Sequence, residues 1–258
     1  MSRIISIANQ KGGVGKTTTA INLSACLAQA GKKVLVIDFD PQANTTSGLG
    51  LDKHGLEASV YNLLLGDKRF DQIIAQTAVA GLDILPACVE LSGAEIELIS
   101  VTEREFILKR IMVDIKYTYD FILIDCPPSL NILTVNALAA SDTVLVPIQC
   151  EYFALEGLSQ LLRTVELVKK RLNKRLELEG VVFTMYDPRT NLSSQVVNEV
   201  KEHLEGNVYN SVIPRNVRLS EAPSHGLPIS LYDPKSKGSR AYQDLALEVI
   251  NKKGGKAI

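Results

Sequence analysis

The chain has no tryptophan, only three histidines and four cysteines in 258 residues. Cys26, Cys88, Cys126 and Cys150 show no C-x-x-C spacing, which excludes a ribbon-type zinc site and a redox dithiol and leaves free thiols in a reducing compartment. His54, His203 and His225 lie far apart and match no metal-binding spacing. No apolar run approaches the ~20 residues that a membrane-crossing helix needs. Met1-Ser2-Arg3 runs directly into an apolar segment, so no signal peptide is expected. The net charge of −1 supplies no global field toward nucleic acid or an anionic membrane. Pro/Ser-rich linkers and internal repeats are also missing. The expectation is a cytoplasmic chain folded as one domain over residues 1–258.

What is present is a regular alternation. Apolar runs at 4–8, 33–37, 82–85, 120–124, 143–148, 179–184 and 208–213 read as buried parallel strands. Helical patterns fall between them at about 16–30, 58–76, 93–116, 129–140, 154–173, 190–204 and 238–252, and Gly254-Gly255-Lys256 reads as a frayed tail. The pattern predicts an α/β fold: a doubly wound, mostly parallel sheet flanked by helices, with ligands at the carboxyl ends of its strands.

The first strand leads into Asn9-Gln10-Lys11-Gly12-Gly13-Val14-Gly15-Lys16-Thr17-Thr18-Thr19 and then a helix. A glycine-rich turn between a strand and a helix N-terminus aims backbone N–H groups at one point, where the helix dipole adds positive potential. Gly12, Gly13 and Gly15 let the backbone wrap an anion, Lys16 supplies a cation to β- and γ-phosphates, and the Thr17 hydroxyl can ligate Mg²⁺. The candidate nucleotide set is therefore Lys11, Gly12, Gly13, Val14, Gly15, Lys16, Thr17 and Thr18. The usual phosphate loop has glycine six residues before its lysine; here that position is Gln10, and a second lysine, Lys11, follows it. Lys16 already serves its own site, so Lys11 can instead reach a phosphate held by a neighbouring subunit, as an arginine finger does.

Two later strands close on aspartates. Val34-Leu35-Val36-Ile37 ends in Asp38-Phe39-Asp40-Pro41-Gln42, and Phe121-Ile122-Leu123-Ile124 ends in Asp125-Cys126-Pro127-Pro128. Asp125 fits a Walker B carboxylate that holds Mg²⁺. Asp40 is assigned to orienting or activating the attacking water, and Asp38 to the Mg²⁺ side or to structure. Cys126 reads as a packed thiol rather than a nucleophile. Further on, Pro214 and Asn216 either contact an adenine edge or form an ordinary proline turn. Arg189, Arg215, Arg218, Lys235, Lys237 and Arg240 are either phosphate contacts or solvated charge, and Lys169-Lys170-Arg171 with Lys174-Arg175 reads as the solvated end of a helix.

Together these stretches resemble the ParA/Soj family of chromosome- and plasmid-partitioning ATPases, within the deviant Walker A class of P-loop NTPases. The resemblance spans nearly the whole chain. Its carriers are the segments 11–19, 38–50, 125–129, 149–157 and 213–224. It implies ATP and Mg²⁺ as cofactors, catalytic roles for Lys11, Lys16 and Asp40, metal-side roles for Thr17, Asp38 and Asp125, and adenine contacts from Pro214 and Asn216. It also implies an ATP-bound sandwich homodimer in which each Lys11 meets the partner's nucleotide. That dimer would bind double-stranded DNA without sequence preference, with Arg189 and Arg218 as DNA contacts. Slow hydrolysis, stimulated by a ParB-type centromere-binding partner, would reset it to monomer on the nucleoid. No N-terminal helix-turn-helix domain is expected, nor any membrane association. A MinD-like membrane ATPase shares the Lys11 signature but needs a basic, bulky amphipathic C-terminal helix, which Leu245 to Ile258 does not resemble.

Overall fold

The computed structural model describes residues 2–151, 154–204 and 206–252. The tail at 254–256, and Tyr152 and Phe153 within the 149–157 segment, lie outside the described residues. Eight strands are present: β1 (Arg3–Ile7), β2 (Val34–Asp38), β3 (Ala75–Gln76), β4 (Leu82–Leu85), β5 (Phe121–Asp125), β6 (Thr143–Gln149), β7 (Glu177–Tyr186) and β8 (Val208–Pro214). They form one sheet in the order β3-β4-β2-β5-β1-β6-β7-β8. Every pairing is parallel except that of β3 with β4.

Side chains alternate across the sheet with a period of two. Ile4, Leu35, Ile37, Ile122 and Ile124 enter one core. Ile5, Ile7, Val34, Val36 and Leu123 enter the other. Both faces must then be covered, and the helices do this. The first core takes α3 (Val60–Leu65), α4 (Leu91–Glu97), α5 (Ile107–Ile115), α6 (Ile132–Ala140), α7 (Ala154–Arg171) and α8 (Asn191–His203). The second takes α1 (Lys16–Gln29), α9 (Val217–Glu221), α10 (Ile229–Tyr232) and α11 (Lys237–Asn251), while α2 (Asn44–Gly48) follows β2. Each large aliphatic side chain buried this way contributes roughly 1.5–3 kcal/mol. None of the helices among the described residues is long and apolar enough to cross a membrane.

The predicted helices at 58–76 and 93–116 are each broken. The first stops after Leu65 because Gly66 caps it at φ 81°, and the chain then makes a 3-10 turn and the short antiparallel β3. The second is interrupted where Val101 is extended and Glu103 takes φ 55°, a left-handed conformation that no α-helix continues through. The helix expected from 129 starts only at Ile132, capped by the Asn131 side chain on the Thr134 N–H.

The strand order sets the position of the ligand crevice. From β1 the chain crosses through α1 to β2 on one side, and from β5 through α6 it returns to β6 on the other. The order therefore reverses at β1, whose carboxyl end opens into the glycine-rich loop.

Candidate active site

The loop after β1 is tied down before any ligand arrives. Asn9 donates from Nδ2 to the Pro147 carbonyl (2.8 Å) and accepts the Lys11 N–H on Oδ1 (3.0 Å), so one side chain joins the loop to β6. Gly13 and Gly15 have φ 75° and 86°, the left-handed region where a Cβ is costly. The far side of the loop is held by Thr184 at the end of β7, whose hydroxyl donates to the Val14 carbonyl at 2.8 Å. Helix α1 has no side-chain N-cap, and its first internal bond runs from Thr19 N–H to Gly15 O. The amides of Lys16, Thr17 and Thr18 are thus left without helical acceptors, the arrangement that suits a phosphate. Lys16 lies 7% exposed, with Nζ donating to the Lys11 carbonyl at 3.1 Å. Burial lowers its pKa, while Asp125, Cys126 and Asp40 act in the opposite sense.

Asp38 and Asp125 stand side by side as register partners at the ends of β2 and β5. Both are buried, and burial raises both carboxyl pKa values, to about 6 for Asp38 and about 7 for Asp125, where the neighbouring Asp38 charge adds to the rise. Their surroundings differ. Asp38 Oδ2 accepts the Thr46 N–H and hydroxyl, both at 2.7 Å, and Oδ1 accepts the Asp40 N–H at 3.3 Å. Asp125 Oδ2 accepts the Thr45 hydroxyl at 2.7 Å, but Oδ1 is buried without a hydrogen-bond partner. The Thr17 hydroxyl lies close enough to lower the Asp125 pKa. An orphaned carboxylate oxygen beside a hydroxyl is a hard-oxygen donor set that fits Mg²⁺. Asp38, with its oxygens already engaged, is better suited to holding the α2 turn and biasing the field. No group of three acidic, thiol or imidazole side chains placed to cage a metal occurs among the described residues, so phosphate and water must complete any cation's shell.

Asp40 sits at the rim, 8% exposed, with Oδ1 accepting the Gln42 N–H at 2.9 Å. Its carbonyl accepts from Ala43, which starts α2 with φ 53°. The turn fixes the Asp40 carboxylate beside Lys16 without burying it as deeply as its neighbours.

The base end is a separate cavity of about 540 Å³ reached from Gly15 and Thr18. Pro214 ends β8, and Asn216 caps α9 by accepting the Arg218 N–H on Oδ1 at 2.8 Å, leaving its amide Nδ2 as the group able to meet a base. Met185 lines the same cavity with φ 50°, a strained left-handed conformation for a non-glycine residue. Tyr242 from α11 lines it too, and its hydroxyl meets Thr19 Oγ1 at 3.2 Å.

The side chains of three candidate residues lie outside the base cavity and make their own ion pairs. Lys11 is exposed and forms an ion pair with Glu151. Arg189 pairs with Asp187 at 2.6 Å, which holds that carboxyl at about 2, and Arg218 pairs with Glu221 at 2.9 Å and Asp233 at 3.6 Å. Cys126 is buried, and burial raises its thiol pKa, as expected of a packed thiol. Sequence reasoning did not assign roles to Asn9, Thr45, Thr46, Glu151 or Thr184. Thr45 and Thr46 lay within the 38–50 segment and carried a signal; Thr184, 170 residues from the carbonyl it holds, carried none.

The family described as an AAA domain matches residues 2–178. The chain is 60% identical over 249 residues to the sporulation initiation inhibitor protein Soj of Bacillus subtilis, covering 96% of this chain and 98% of that one. It is 54% identical to the chromosome-partitioning ATPase Soj of Treponema pallidum, covering 98% and 99% respectively. Among solved structures, cobyrinic acid a,c-diamide synthase from Mycobacterium smegmatis, with ADP and magnesium bound, superposes with a TM-score of 0.87 at 38% identity, over 99% of both chains.

Proposed function

This chain belongs to the ParA/Soj family of chromosome-partitioning ATPases, and from that premise we propose that it is a Mg²⁺-dependent switch that hydrolyses ATP slowly and holds DNA between hydrolysis events. One observation carries the reading. A phosphate loop with unclaimed helix amides opens beside a buried aspartate oxygen that has no partner, with a second aspartate poised at the rim.

In this reading the loop amides and Lys16 neutralise the β- and γ-phosphates. Thr17 and Asp125 would hold Mg²⁺, which when bound would supply positive charge against the phosphates. Asp40 orients the attacking water from the rim. Asp38 braces the turn that holds Asp40. Pro214 and the Asn216 amide read the adenine. Lys11 leaves Glu151 and crosses to the nucleotide of a second copy, so the dimer forms only while a triphosphate is bound.

Pairing two chains doubles the cationic surface, and each neutralised phosphate adds a counterion-release contribution, so DNA affinity climbs steeply on dimerisation. Arg189 and Arg218 are the proposed DNA contacts on the nucleotide side, exchanging their carboxylate partners for phosphates. A ParB-type partner accelerates hydrolysis and releases the dimer. The domain assignment over 1–258 and a cytoplasmic, nucleoid-associated location belong to the same proposal.

The test is binding of non-specific duplex DNA by the native chain and by Asp40→Ala, each with ATP or ADP. The expected result is salt-sensitive binding with ATP that persists in Asp40→Ala while hydrolysis falls at least about a hundredfold. Binding to anionic vesicles with ATP, and none to DNA, would overturn the DNA reading.

A further inference from the structure

At the amino ends of the central strands β1 and β6, the end of the sheet away from the nucleotide loop, a cavity of about 410 Å³ is lined by Lys109 of α5, by Lys116 at the C-cap of that helix, and by Lys174 and Arg175 of the turn before β7. None of these four cations forms an ion pair among the described residues. The one acid in the lining, Asp142, has its Oδ2 occupied by the Ile4 N–H at 2.9 Å. Nearby Asp120 is similarly engaged by the Lys33 N–H at 2.8 Å.

The cations continue out of the cavity. Lys169, Lys170 and Arg171 form the last turn of α7, so residues 169–175 carry five positive charges and no negative one. A helix C-terminus favours cations by its dipole, which accounts for Lys169, Lys170 and Arg171. It does not account for Lys174 and Arg175 beyond the helix end or for Lys109 in the first turn of α5, whereas Lys116, the C-cap of α5, is favoured by that helix's own dipole. In a chain of net charge −1, a concentration of this kind is a local field rather than a reflection of bulk composition. The contrast with the nucleotide side is direct: Arg189 and Arg218 are both held by carboxylates, and the cations here are not.

We infer that this face is a second phosphate-contacting surface, which takes the backbone of duplex DNA from the side away from the nucleotide. The inference rests on the DNA-binding reading above. A row extending over two elements and past the cavity mouth fits a polymer backbone better than one compact anion. Cations without carboxylate partners gain phosphate contacts with no ion pair to break. A membrane surface fits less well, because the bulky apolar face of α5 (Ile107, Leu108, Met112, Ile115) is already buried in the core. The exposed Tyr117 ring also has the Lys116 ammonium 5.3 Å from its centroid. Because the surface lies opposite the edge where Lys11 would meet a second copy, it stays open in monomer and dimer alike. It therefore supplies a weak DNA affinity that does not depend on the nucleotide.

The experiment uses the full chain and a random-sequence duplex, titrated with salt in ATP and in ADP. The variants are Lys174→Gln/Arg175→Gln and, on the other element, Lys109→Gln/Lys116→Gln, each checked for an unchanged thermal midpoint. Each pair is expected to weaken binding at least about tenfold with ATP and to lower the slope of log affinity against log salt by about 1.8 per protomer. Residual binding in ADP is expected to disappear. Affinity and slope equal to the native chain in both pairs would overturn the inference while leaving the ATP-dependent DNA reading intact. Loss of anionic-vesicle binding with DNA binding unchanged would overturn it in favour of a membrane surface. A native chain that binds no duplex DNA overturns both proposals.

Discussion

The two ends of the nucleotide crevice are built by different physics. At the phosphate end, charged side chains carry the site: Lys16, Asp38 and Asp125 are all buried, and the last two share a register row. Burying charges costs several kcal/mol each unless partners compensate, and Asp125 Oδ1 has none. That end is arranged for a ligand at the expense of the empty protein. The base end is a cavity lined largely by apolar side chains and by backbone, with Pro214 and Met185 on its wall and a single amide offered by Asn216. It discriminates by shape and costs the fold little. Most of the binding energy should therefore reside at the phosphate end, and most of the choice between bases at the other.

The largest effect that tests this division is expected from Lys16→Ala. Its ammonium balances Asp125 and Asp40 and is proposed to meet the phosphates, and a charge-assisted contact of this kind is worth up to about 3 kcal/mol. ATP affinity should fall roughly a hundredfold in a fluorescent-nucleotide titration. A fall of less than about threefold would mean that the base end dominates, and the comparison would be reversed.

The second effect is a pH dependence confined to the phosphate end. Asp38 and Asp125 carry folded-state pKa values of about 6 and about 7 against an ordinary 3.8, so the folded protein holds more protons than the unfolded chain between those limits. Without nucleotide and metal, stability from this pair is present below about pH 4 and is lost as pH rises toward 7. Mg²⁺ with ADP favours the ionised carboxylates and should flatten the loss. Denaturant midpoints at pH 5 and 7.5, with and without Mg²⁺-ADP, measure it. A ligand-free midpoint that is higher at pH 7.5 would show that the burial of these two groups is not what limits stability.

The base end should answer more mildly. Asn216→Ala removes the α9 cap, worth about 1 kcal/mol, along with the amide offered to the base. ATP affinity should weaken three- to tenfold, and the preference for ATP over GTP should shrink. An equal loss for both nucleotides would assign Asn216 to holding α9 alone.

How much of this was legible beforehand depends on distance along the chain. The strands could be read because a strand buried on both faces is a continuous apolar run, as in Val34 to Ile37 and Phe121 to Ile124. The loop from Lys11 to Thr18 could be read because its chemistry is local. The adjacency of Asp38 and Asp125 could not, since it depends on β2 choosing β5 as its neighbour across more than eighty residues. The breaks at Gly66 and Glu103 were hidden for another reason: the flanking apolar spacing still matches a helix, and only a left-handed backbone residue interrupts it. α2 was missed because it begins at Ala43 with φ 53°, a conformation imposed by the Asp40 turn and not favoured by alanine itself.

The smallest effect concerns a contact outside both ends. Lys11 is held by Glu151 of its own chain, with the two side chains 42% and 44% exposed. An exposed pair of this kind is worth about 0–1 kcal/mol, so it restrains Lys11 only weakly. Glu151→Gln should leave the thermal midpoint unchanged and release Lys11 to reach a second copy. ATP-driven self-association, measured by sedimentation, should then strengthen by up to about fivefold, the equivalent of 1 kcal/mol. The direction is informative because the alternative has the opposite sign. If Glu151 holds the partner's lysine across a dimer, the same substitution weakens association, and the pair belongs to the assembled state instead of restraining the monomer.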